Sequence, residues 1–181
     1  MEGSRWRDDE IRTIGHSNRT LDTFVDLLER HGVERVVDVR TVPRSRRHPH
    51  FGIDQLPAAL AARYIEYVHL AGLGGLRKPK PDSINTGWRN LSFRGYADHM
   101  CTAAFTDDLA RLIDMAQLQR CVVMCAEAVP WQCHRSLIAD ALVARGIPVS
   151  NILGPQTPTE HRITPFARMD GENVTYPALA V

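Results

Sequence analysis

Residues 125–135 hold more reactive side chains than any other stretch of this chain. The segment reads Cys-Ala-Glu-Ala-Val-Pro-Trp-Gln-Cys-His-Arg, so two thiols, a carboxylate, an imidazole and a guanidinium fall within eleven residues. A cysteine next to a histidine and an arginine is in an environment that favours the thiolate, the nucleophilic form of the side chain. The residue types therefore predict nucleophilic or acid–base chemistry, with Cys133, His134 and Glu127 as candidate catalytic residues.

The same side chains are also potential metal ligands. Thiolate sulfur and imidazole nitrogen bind zinc and iron, so Cys125, Cys133 and His134 form a candidate site for either ion. The spacing does not require a metal, because Cys125 can equally be a buried residue at the end of a strand. Glu127 can likewise pair with Arg135 instead of taking part in a reaction. Both interpretations stay open at the level of sequence.

Cysteine phosphatases and rhodanese-like transferases also place a thiolate between a strand and a helix, where helix N–H groups hold an anion. Their loops are shorter and ordered differently, since Arg135 here follows Cys125 by ten residues and Cys133 by two. Cys133 lies near the predicted helix start, beside a histidine and an arginine, and this environment favours a thiolate there. The spacing does not decide which of the two cysteines is reactive.

The elements that must position this segment are a buried strand at 121–124 and an amphipathic helix at 136–142. Further strands are predicted at 11–16, 36–39, 67–70 and 149–153, with helices between them. This alternation predicts an α/β fold, a single-domain, mostly parallel sheet of about five strands with helices on both faces, in a Rossmann-like three-layer sandwich. We expect a polar N-terminal extension at 1–10, the α/β domain at 11–153, and an irregular C-terminal tail at 154–181 that packs on the domain.

The carboxyl ends of parallel strands meet at one edge of a sheet, which is where ligands of such folds bind. His16, Ser17 and Asn18 follow the first predicted strand, and Asp38 and Arg40 follow the second. These residues are therefore expected to share a cleft with the cysteine segment. His16 is a candidate general base, and the other four are candidate ligand-binding residues.

Basic residues cluster in the two loops predicted at this edge, between 40 and 47 and between 77 and 94. Nine of them face one acid, Asp82, and they are Arg40, Arg44, Arg46, Arg47, Arg77, Lys78, Lys80, Arg89 and Arg94. Such loops can hold phosphates while the aromatic side chains of Phe51, Trp88 and Phe93 stack on bases. We therefore add Arg44, Arg94 and Arg135 to the ligand-binding candidates. The alternative, that these loops are only solvated, stays open.

Composition limits the classes of protein that the chain can belong to. Its 181 residues carry a formal net charge of +1, and 44% are hydrophobic, which is ordinary for one globular domain. No stretch approaches the length of a membrane span, and the polar first ten residues contain no apolar core of a signal peptide. The four cysteines do not form the framework of a disulfide-rich protein. The sequence therefore predicts a cytoplasmic protein in a reducing compartment, with no membrane partner.

Several motifs, in this order, resemble the family catalogued as domain of unknown function 488. They are Gly15-His16-Ser17-Asn18, Asp38-Val39-Arg40, Phe93-Arg94-Gly95-Tyr96-Ala97-Asp98, Cys125-Ala126-Glu127 and Cys133-His134-Arg135. The resemblance extends over residues 11–166 and implies a small bacterial α/β domain, but it brings no activity, substrate or cofactor. His161 also fits the C-terminal pattern of the family and is expected to fold back towards the cleft.

Two classes of function follow from these residues. In the first, the protein is a Cys/His-dependent enzyme that binds a phosphate-bearing ligand, a nucleotide or a nucleic acid, in an arginine-rich cleft. In the second it is a binding protein without chemistry, either a nucleic-acid-binding module or a Cys/His metal-binding protein. In the nucleic-acid-binding module the cysteine segment would be a structural hinge or a redox-sensitive element.

Overall fold

The computed structural model describes residues 5–180, which form a six-stranded sheet and a separate two-stranded hairpin. The strands of the sheet lie in the order β3-β2-β4-β1-β5-β6, and the first five are parallel while β6 is antiparallel. The sheet strands are β1 (Ile11–Gly15), β2 (Arg35–Asp38), β3 (Glu66–His69), β4 (Cys121–Cys125), β5 (Val149–Ile152) and β6 (Thr159–Glu160). The hairpin consists of β7 (Arg168–Asp170) and β8 (Asn173–Thr175).

Five α-helices cover the two faces of the sheet. They are α1 (Leu21–Arg30), α2 (Leu56–Ala61), α3 (Leu91–His99), α4 (Ala103–Leu118) and α5 (Arg135–Ala144). The apolar side chains of α1 and α2 pack in one core, and those of α3, α4 and α5 pack in the other. The predicted α/β fold with three layers is therefore confirmed.

Strand β4 shows how the sheet divides its side chains between these two cores. Val122 and Met124 belong to the core under α1 and α2, whereas Cys121, Val123 and Cys125 belong to the core under α3, α4 and α5. This division follows from the two-residue period of a strand. The sulfur of Cys125 therefore lies on the face that α5 covers.

The direction of the chain reverses at the border between β1 and β4. From β1 the chain runs through α1 and α2 towards β3, and it returns through α3, α4 and α5 on the opposite face. The neighbouring strands β1 and β4 are thus followed by helices on opposite faces. Such a topological switch point leaves a crevice at the carboxyl ends of the two strands. His16 and the cysteine segment follow these two strands.

The boundaries differ from the sequence prediction in two places. The loop predicted between 77 and 94 ends earlier, because Asn90 caps α3 by accepting hydrogen bonds from the backbone N–H groups of Ser92 and Phe93. The tail predicted to be irregular contains β6, β7 and β8. Strands of two or three residues have too little periodicity to be recognised in sequence, and they form here because a partner strand is present. No α-helix in residues 5–180 is long and apolar enough to cross a membrane.

Candidate active site

The two cysteines of the reactive segment meet at the end of β4. Cys125 is the last residue of this strand and pairs in register with Gly15 of β1. The chain then passes through an exposed turn and the short 3₁₀ helix Pro130–Gln132, which brings Cys133 to the start of α5. The Sγ atoms of Cys125 and Cys133 lie 2.8 Å apart, and both residues are buried. Eight residues of separation in sequence thus become direct contact.

Arg135 is completely buried beside this pair of sulfurs. Its Nη1 atom donates to Cys125 Sγ at 2.9 Å and to the backbone oxygen of Glu127 at 2.6 Å, and its Nη2 atom donates to the backbone oxygen of Ala128 at 3.0 Å. Its Nε atom has no hydrogen-bond partner. In the described chain no carboxylate forms an ion pair with Arg135. A buried guanidinium needs an anion nearby, and the thiolate of Cys125 is the group in contact with it.

The pKa values of the two thiols move in opposite directions. Burial alone would raise the pKa of Cys125, but the hydrogen bond from the Cys133 thiol, together with the charge and hydrogen bond of Arg135, lowers it to about 7. The hydrogen bond to Cys125, then burial and the charge of Cys125, raise the pKa of Cys133 well above its usual range. The structure therefore favours Cys125 as the thiolate, a choice that the sequence left open although it named Cys133 as the candidate catalytic cysteine. The difference arises because Arg135 reaches back to the strand end and contacts Cys125.

His134 contacts the second sulfur from the other side. Its Nε2 atom lies 3.1 Å from the backbone oxygen of Val39, and its Nδ1 atom lies 3.6 Å from Cys133 Sγ. The partners assign the proton to Nε2, which donates to the carbonyl, and leave the Nδ1 lone pair directed at the thiol. Burial lowers the pKa of His134 to about 4, and the nearby charge of Arg135 adds to this effect. The imidazole is therefore neutral at pH 7.

His16 lies at the carboxyl end of β1, where its ring stacks on Phe51 with the centroids 4.3 Å apart. Its Nδ1 atom donates to the backbone oxygen of Ser17 at 2.8 Å, and its Nε2 atom lies 3.5 Å from Arg40 Nη1. Burial lowers the pKa of His16 to about 4, and the charge of Arg40 contributes to this, although the bond to Ser17 opposes it. His16 is thus a neutral imidazole with its Nε2 lone pair directed at Arg40 Nη1, and its lowered pKa makes it a weak base.

Asp38 and Arg40 form a buried ion pair beside His16. The carboxylate of Asp38 accepts hydrogen bonds from Arg40 Nε at 2.9 Å, from Arg40 Nη2 at 2.6 Å and from the hydroxyl of Tyr67 at 2.6 Å. Arg40 Nη2 also donates to the backbone oxygen of Phe51 at 2.7 Å. Asp38 therefore orients Arg40, and the guanidinium presents only Nη1 to His16.

The other predicted site residues differ in their exposure and in the groups that they contact. The backbone N–H of Ser17 donates to Ala126 O at 3.0 Å, which ties the end of β1 to the cysteine segment. Asn18, Arg44 and Glu127 are exposed, and Glu127 contacts Arg135 through its carbonyl oxygen. Arg94 lies on α3, where its Nε atom donates to Trp88 O at 3.0 Å.

His161 folds back onto the domain, but it contacts α5 there. Its Nε2 atom lies 2.7 Å from Asp140 Oδ1, and the hydroxyl of Tyr176 donates to the second oxygen of the same carboxylate at 2.8 Å. Asp140 is completely buried. His161 therefore anchors the tail to α5 through this carboxylate.

The candidate zinc or iron site on Cys125, Cys133 and His134 does not take shape. Among residues 5–180, no three His, Cys, Asp or Glu side chains are arranged to hold a metal ion. The reason is the orientation of His134, whose ring packs on Tyr96 with the centroids 4.9 Å apart and whose Nε2 atom is bound by Val39 O. Two sulfurs alone do not complete a tetrahedral site.

Sequence reasoning missed the roles of several residues that shape the site. Arg19 donates from Nη1 to Gly15 O and from Nη2 to Leu153 O at 3.1 Å, and burial and the charge of Arg135 lower its pKa. A Cβ atom on Gly15 would lie 1.6 Å from Glu127 O and 2.7 Å from Arg135 Nη1. A Cβ atom on Gly75 would lie 2.9 Å from His134 Nδ1. Gly15 belongs to one of the motifs recognised in the sequence, whereas no signal in the sequence marked Arg19.

Comparison with known proteins gives one match. The family model described as "Domain of unknown function DUF488" matches residues 20–142, which is more than half of the chain. No curated protein and no solved structure matches. The matched range includes Asp38, Arg40 and the whole cysteine segment, but it begins after His16, so it is narrower than the resemblance inferred from the sequence. The chain belongs to this family.

Proposed function

We propose that this member of the DUF488 family is an enzyme that uses Cys125 as a nucleophile on a phosphate-bearing substrate, a nucleotide or a nucleic acid. The observation that carries the proposal is the contact between Cys125 Sγ and Arg135 Nη1 at 2.9 Å, made by a completely buried guanidinium. A thiolate held in this way, at the topological switch point of an α/β sheet, has the chemistry and the location of an active-site nucleophile.

The positive charge around the crevice supports an anionic substrate. Arg19 and Arg135 are close enough for the charge of one to lower the pKa of the other, and in the described chain neither forms an ion pair with a carboxylate. Arg40 places a third guanidinium beside His16, but its charge is already neutralised by Asp38. The thiolate offsets only part of this charge, and a phosphate would offset the rest.

The basic loops extend the positive surface beyond the crevice. Thr41 Oγ1 donates to Gly75 O at 2.7 Å, so the loops that follow β2 and β3 touch. Six of their basic residues are exposed and form no ion pair within the described chain, namely Arg44, Arg46, Arg47, Lys78, Lys80 and Arg89. These side chains are available to hold further phosphates of a nucleotide or a nucleic acid.

The proposed reaction uses the thiolate of Cys125 and the neutral imidazole of His16. Cys125 Sγ attacks phosphorus, an S–P bond forms, and the P–O bond to the leaving group breaks. Water gives a proton to His16 Nε2, which must first separate from Arg40 Nη1, and then hydrolyses the phosphoryl-cysteine and restores the thiolate. Glu127, whose carboxylate is exposed beside the turn, is the candidate proton donor for the leaving group. Because Cys125 is only 2% exposed, the exposed residues Ala126–Ala128 must move to admit the substrate.

The test is hydrolysis of p-nitrophenyl phosphate and of a panel of nucleotides by the reduced protein. Cys125→Ser should abolish turnover while it leaves the affinity for the substrate within a few-fold of wild type. Cys101→Ser is the matched control, because Cys101 is a free and exposed thiol after α3, and this variant should keep full activity. Full turnover by Cys125→Ser, or no turnover by the wild type with any of these phosphates, would overturn the proposal.

A non-catalytic nucleic-acid-binding module is the second candidate, and the exposed unpaired arginines favour it. Binding of a fluorescent single-stranded oligonucleotide, measured by anisotropy at several salt concentrations, tests this function. Arg44→Ala and Arg47→Ala should each reduce the salt slope by about 1, whereas Arg168→Ala on the distant strand β7 should leave it unchanged. Equal slopes for all three variants would contradict binding through these loops.

A further inference from the structure

The contact between the two sulfurs allows Cys125 and Cys133 to react with each other. The Sγ atoms of Cys125 and Cys133 lie 2.8 Å apart, within about 1 Å of the length of a disulfide bond, about 2.05 Å. Both thiols are free, and no cysteine in the described chain takes part in a disulfide. One sulfur is already a hydrogen-bond donor to the other, so bond formation requires only a short movement of the turn between them.

We infer that Cys125 and Cys133 form a reversible intramolecular disulfide when a small hydroperoxide oxidises Cys125. The order of events follows from two contacts, one between Cys125 and Arg135 and one between the two sulfurs. Cys125 reacts first because it is the sulfur that the guanidinium holds as an anion. Cys133 is the resolving cysteine, since it lies next to Cys125 and keeps its proton until it is needed.

The two steps balance with hydrogen peroxide as the oxidant. The thiolate of Cys125 attacks one peroxide oxygen, so that an S–O bond forms and the O–O bond breaks. Hydroxide is the leaving group, and Cys125 becomes a sulfenic acid. Cys133 then attacks the sulfur of Cys125, the S–S bond forms, the S–O bond breaks, and a second hydroxide leaves. The two sulfurs together lose two electrons, which reduce the peroxide to two molecules of water after protonation.

His134 is placed to move the proton in the second step. Cys133 must lose its proton to attack, and the lone pair of His134 Nδ1 lies 3.6 Å from its sulfur. The other ring nitrogen is held by Val39 O at 3.1 Å, which keeps Nδ1 directed at Cys133. The imidazole can take the thiol proton and pass it to the departing hydroxide. His134 is thus a catalytic residue of disulfide formation.

Burial limits which oxidant can reach the pair. Cys125 is 2% exposed and Cys133 is 4% exposed, so a small hydroperoxide reaches the pair more readily than glutathione disulfide, which needs the turn at 126–128 to move. Oxidation also removes the nucleophile of the proposed enzyme. This regulatory consequence rests on the proposed function, whereas the disulfide itself requires only the two sulfurs and His134.

The experiment exposes the full reduced chain to hydrogen peroxide after removal of reductant and analyses the products by intact mass and non-reducing peptide mapping. We expect a loss of two hydrogen atoms and a cross-link between the peptides of Cys125 and Cys133, both reversed by dithiothreitol. Glutathione disulfide should give no mixed disulfide at either cysteine within the same time. Modification of Cys101 alone by peroxide, or a cross-link through Cys101 between two molecules, would overturn the inference.

Three variants test the roles in this reaction. Cys133→Ser should stop at the sulfenic acid of Cys125, trapped by dimedone, and proceed to sulfinic acid without the trap. Cys133→Ala serves the same purpose if the serine variant does not fold. His134→Asn should form the disulfide at least ten-fold more slowly and accumulate the dimedone adduct, while Cys101→Ser should react like wild type. Cross-linking without phosphatase activity would refute the proposed enzyme alone, and activity without cross-linking would refute the disulfide alone.

Discussion

At the scale of single residues, Arg135 decides the chemistry of the site. It is adjacent in sequence to His134 and two residues from Cys133, yet its guanidinium lies on Cys125 and on the carbonyl oxygens of Glu127 and Ala128. An unpaired buried charge is costly, so the fold gains stability when Cys125 supplies the negative partner. Cys125 is therefore favoured as the thiolate because its sulfur contacts the buried guanidinium of Arg135.

The first prediction concerns the dependence of stability on pH. The pKa of Cys125 is lowered from about 9 to about 7 by the hydrogen bond from Cys133 and by Arg135, so these contacts of the thiolate stabilise the fold fully above about pH 9 and lose this contribution as the pH falls through about 7. At about 1.4 kcal/mol per unit, the contribution is on the order of 2–3 kcal/mol. We expect the difference in unfolding free energy between wild type and Cys125→Ser to fall by this amount between about pH 9 and about pH 6.

Urea denaturation of both proteins under reducing conditions at these two pH values measures that difference. Groups that titrate in this range and do not contact Cys125 are common to the two proteins and cancel. A difference that is the same at both pH values would show that no thiolate is paired with Arg135.

The second prediction tests the close approach at Gly15. In Gly15→Ala the new Cβ atom would meet Glu127 O at 1.6 Å, so the turn and Arg135 must move away from Cys125. We expect a loss of about 1–3 kcal/mol in unfolding free energy and a higher pKa of Cys125, read from the ultraviolet absorbance of the thiolate. Gly154→Ala is the control, because its Cβ atom meets only the flexible end of Gln156. Equal pKa values in both variants would contradict the argument.

At the scale of elements, α5 connects the reactive segment with the C-terminal tail. Its first residue is Arg135, and one and a half turns later Asp140 accepts hydrogen bonds from His161, from the backbone N–H of Thr164 and from Tyr176. The tail is thus fastened to the helix by a completely buried carboxylate. This network explains why a segment with few apolar residues packs closely on the domain.

The third prediction follows from this network. Asp140→Ala leaves the buried hydroxyl of Tyr176 and two partly buried donors without an acceptor and should lower the free energy of unfolding by about 3–5 kcal/mol. Asp170→Ala, on the exposed hairpin strand β7, should change it by less than about 0.5 kcal/mol. Chemical denaturation of the two variants measures both effects. A loss at Asp140 no larger than that at Asp170 would mean that the tail is not fastened through this carboxylate.

At the scale of the whole molecule, the sheet separates two apolar cores, and β4 lies at its centre. All five residues of β4 are buried, whereas the edge strand β3 is at least partly accessible along its length. The basic loops, the crevice and the cysteine segment all lie at the carboxyl edge of this sheet. The sheet is therefore completely buried where it holds Cys125 and more accessible at its β3 edge.

The fourth prediction tests this division by amide hydrogen exchange. The amides of Val122, Val123 and Met124 should exchange only through global unfolding and be the slowest in the chain. Those of the β7–β8 hairpin and of the loop at 76–90 should exchange through local opening, at least ten-fold faster. Exchange of β4 at the rate of the edge strand β3 would contradict the central position of β4 in the stable core.

Local patterns in the sequence were sufficient for the fold class. The apolar runs at 121–124 and 36–39, with helical periods between them, specify buried parallel strands and covering helices, because each pattern depends only on neighbouring residues. Thr20 caps α1 by accepting a hydrogen bond from the backbone N–H of Thr23. The cap of α3 at Asn90 was missed because the residues around it are polar and typical of a loop. Two- and three-residue strands in the tail gave no periodic signal at all.

The sequence by itself determined that reactive side chains gather at the carboxyl edge of a parallel sheet, since strand direction places every strand-to-helix connection there. Only the tertiary structure decided which of them touch. Three contacts arise only when separate elements come together. They are the backbone pairing of Gly15 with Cys125, the approach of Cys133 to within 2.8 Å of Cys125, and the contact of Arg135 with Cys125. They depend on strand order and on the burial of charge, and neither property is recorded in the spacing of residues along the chain.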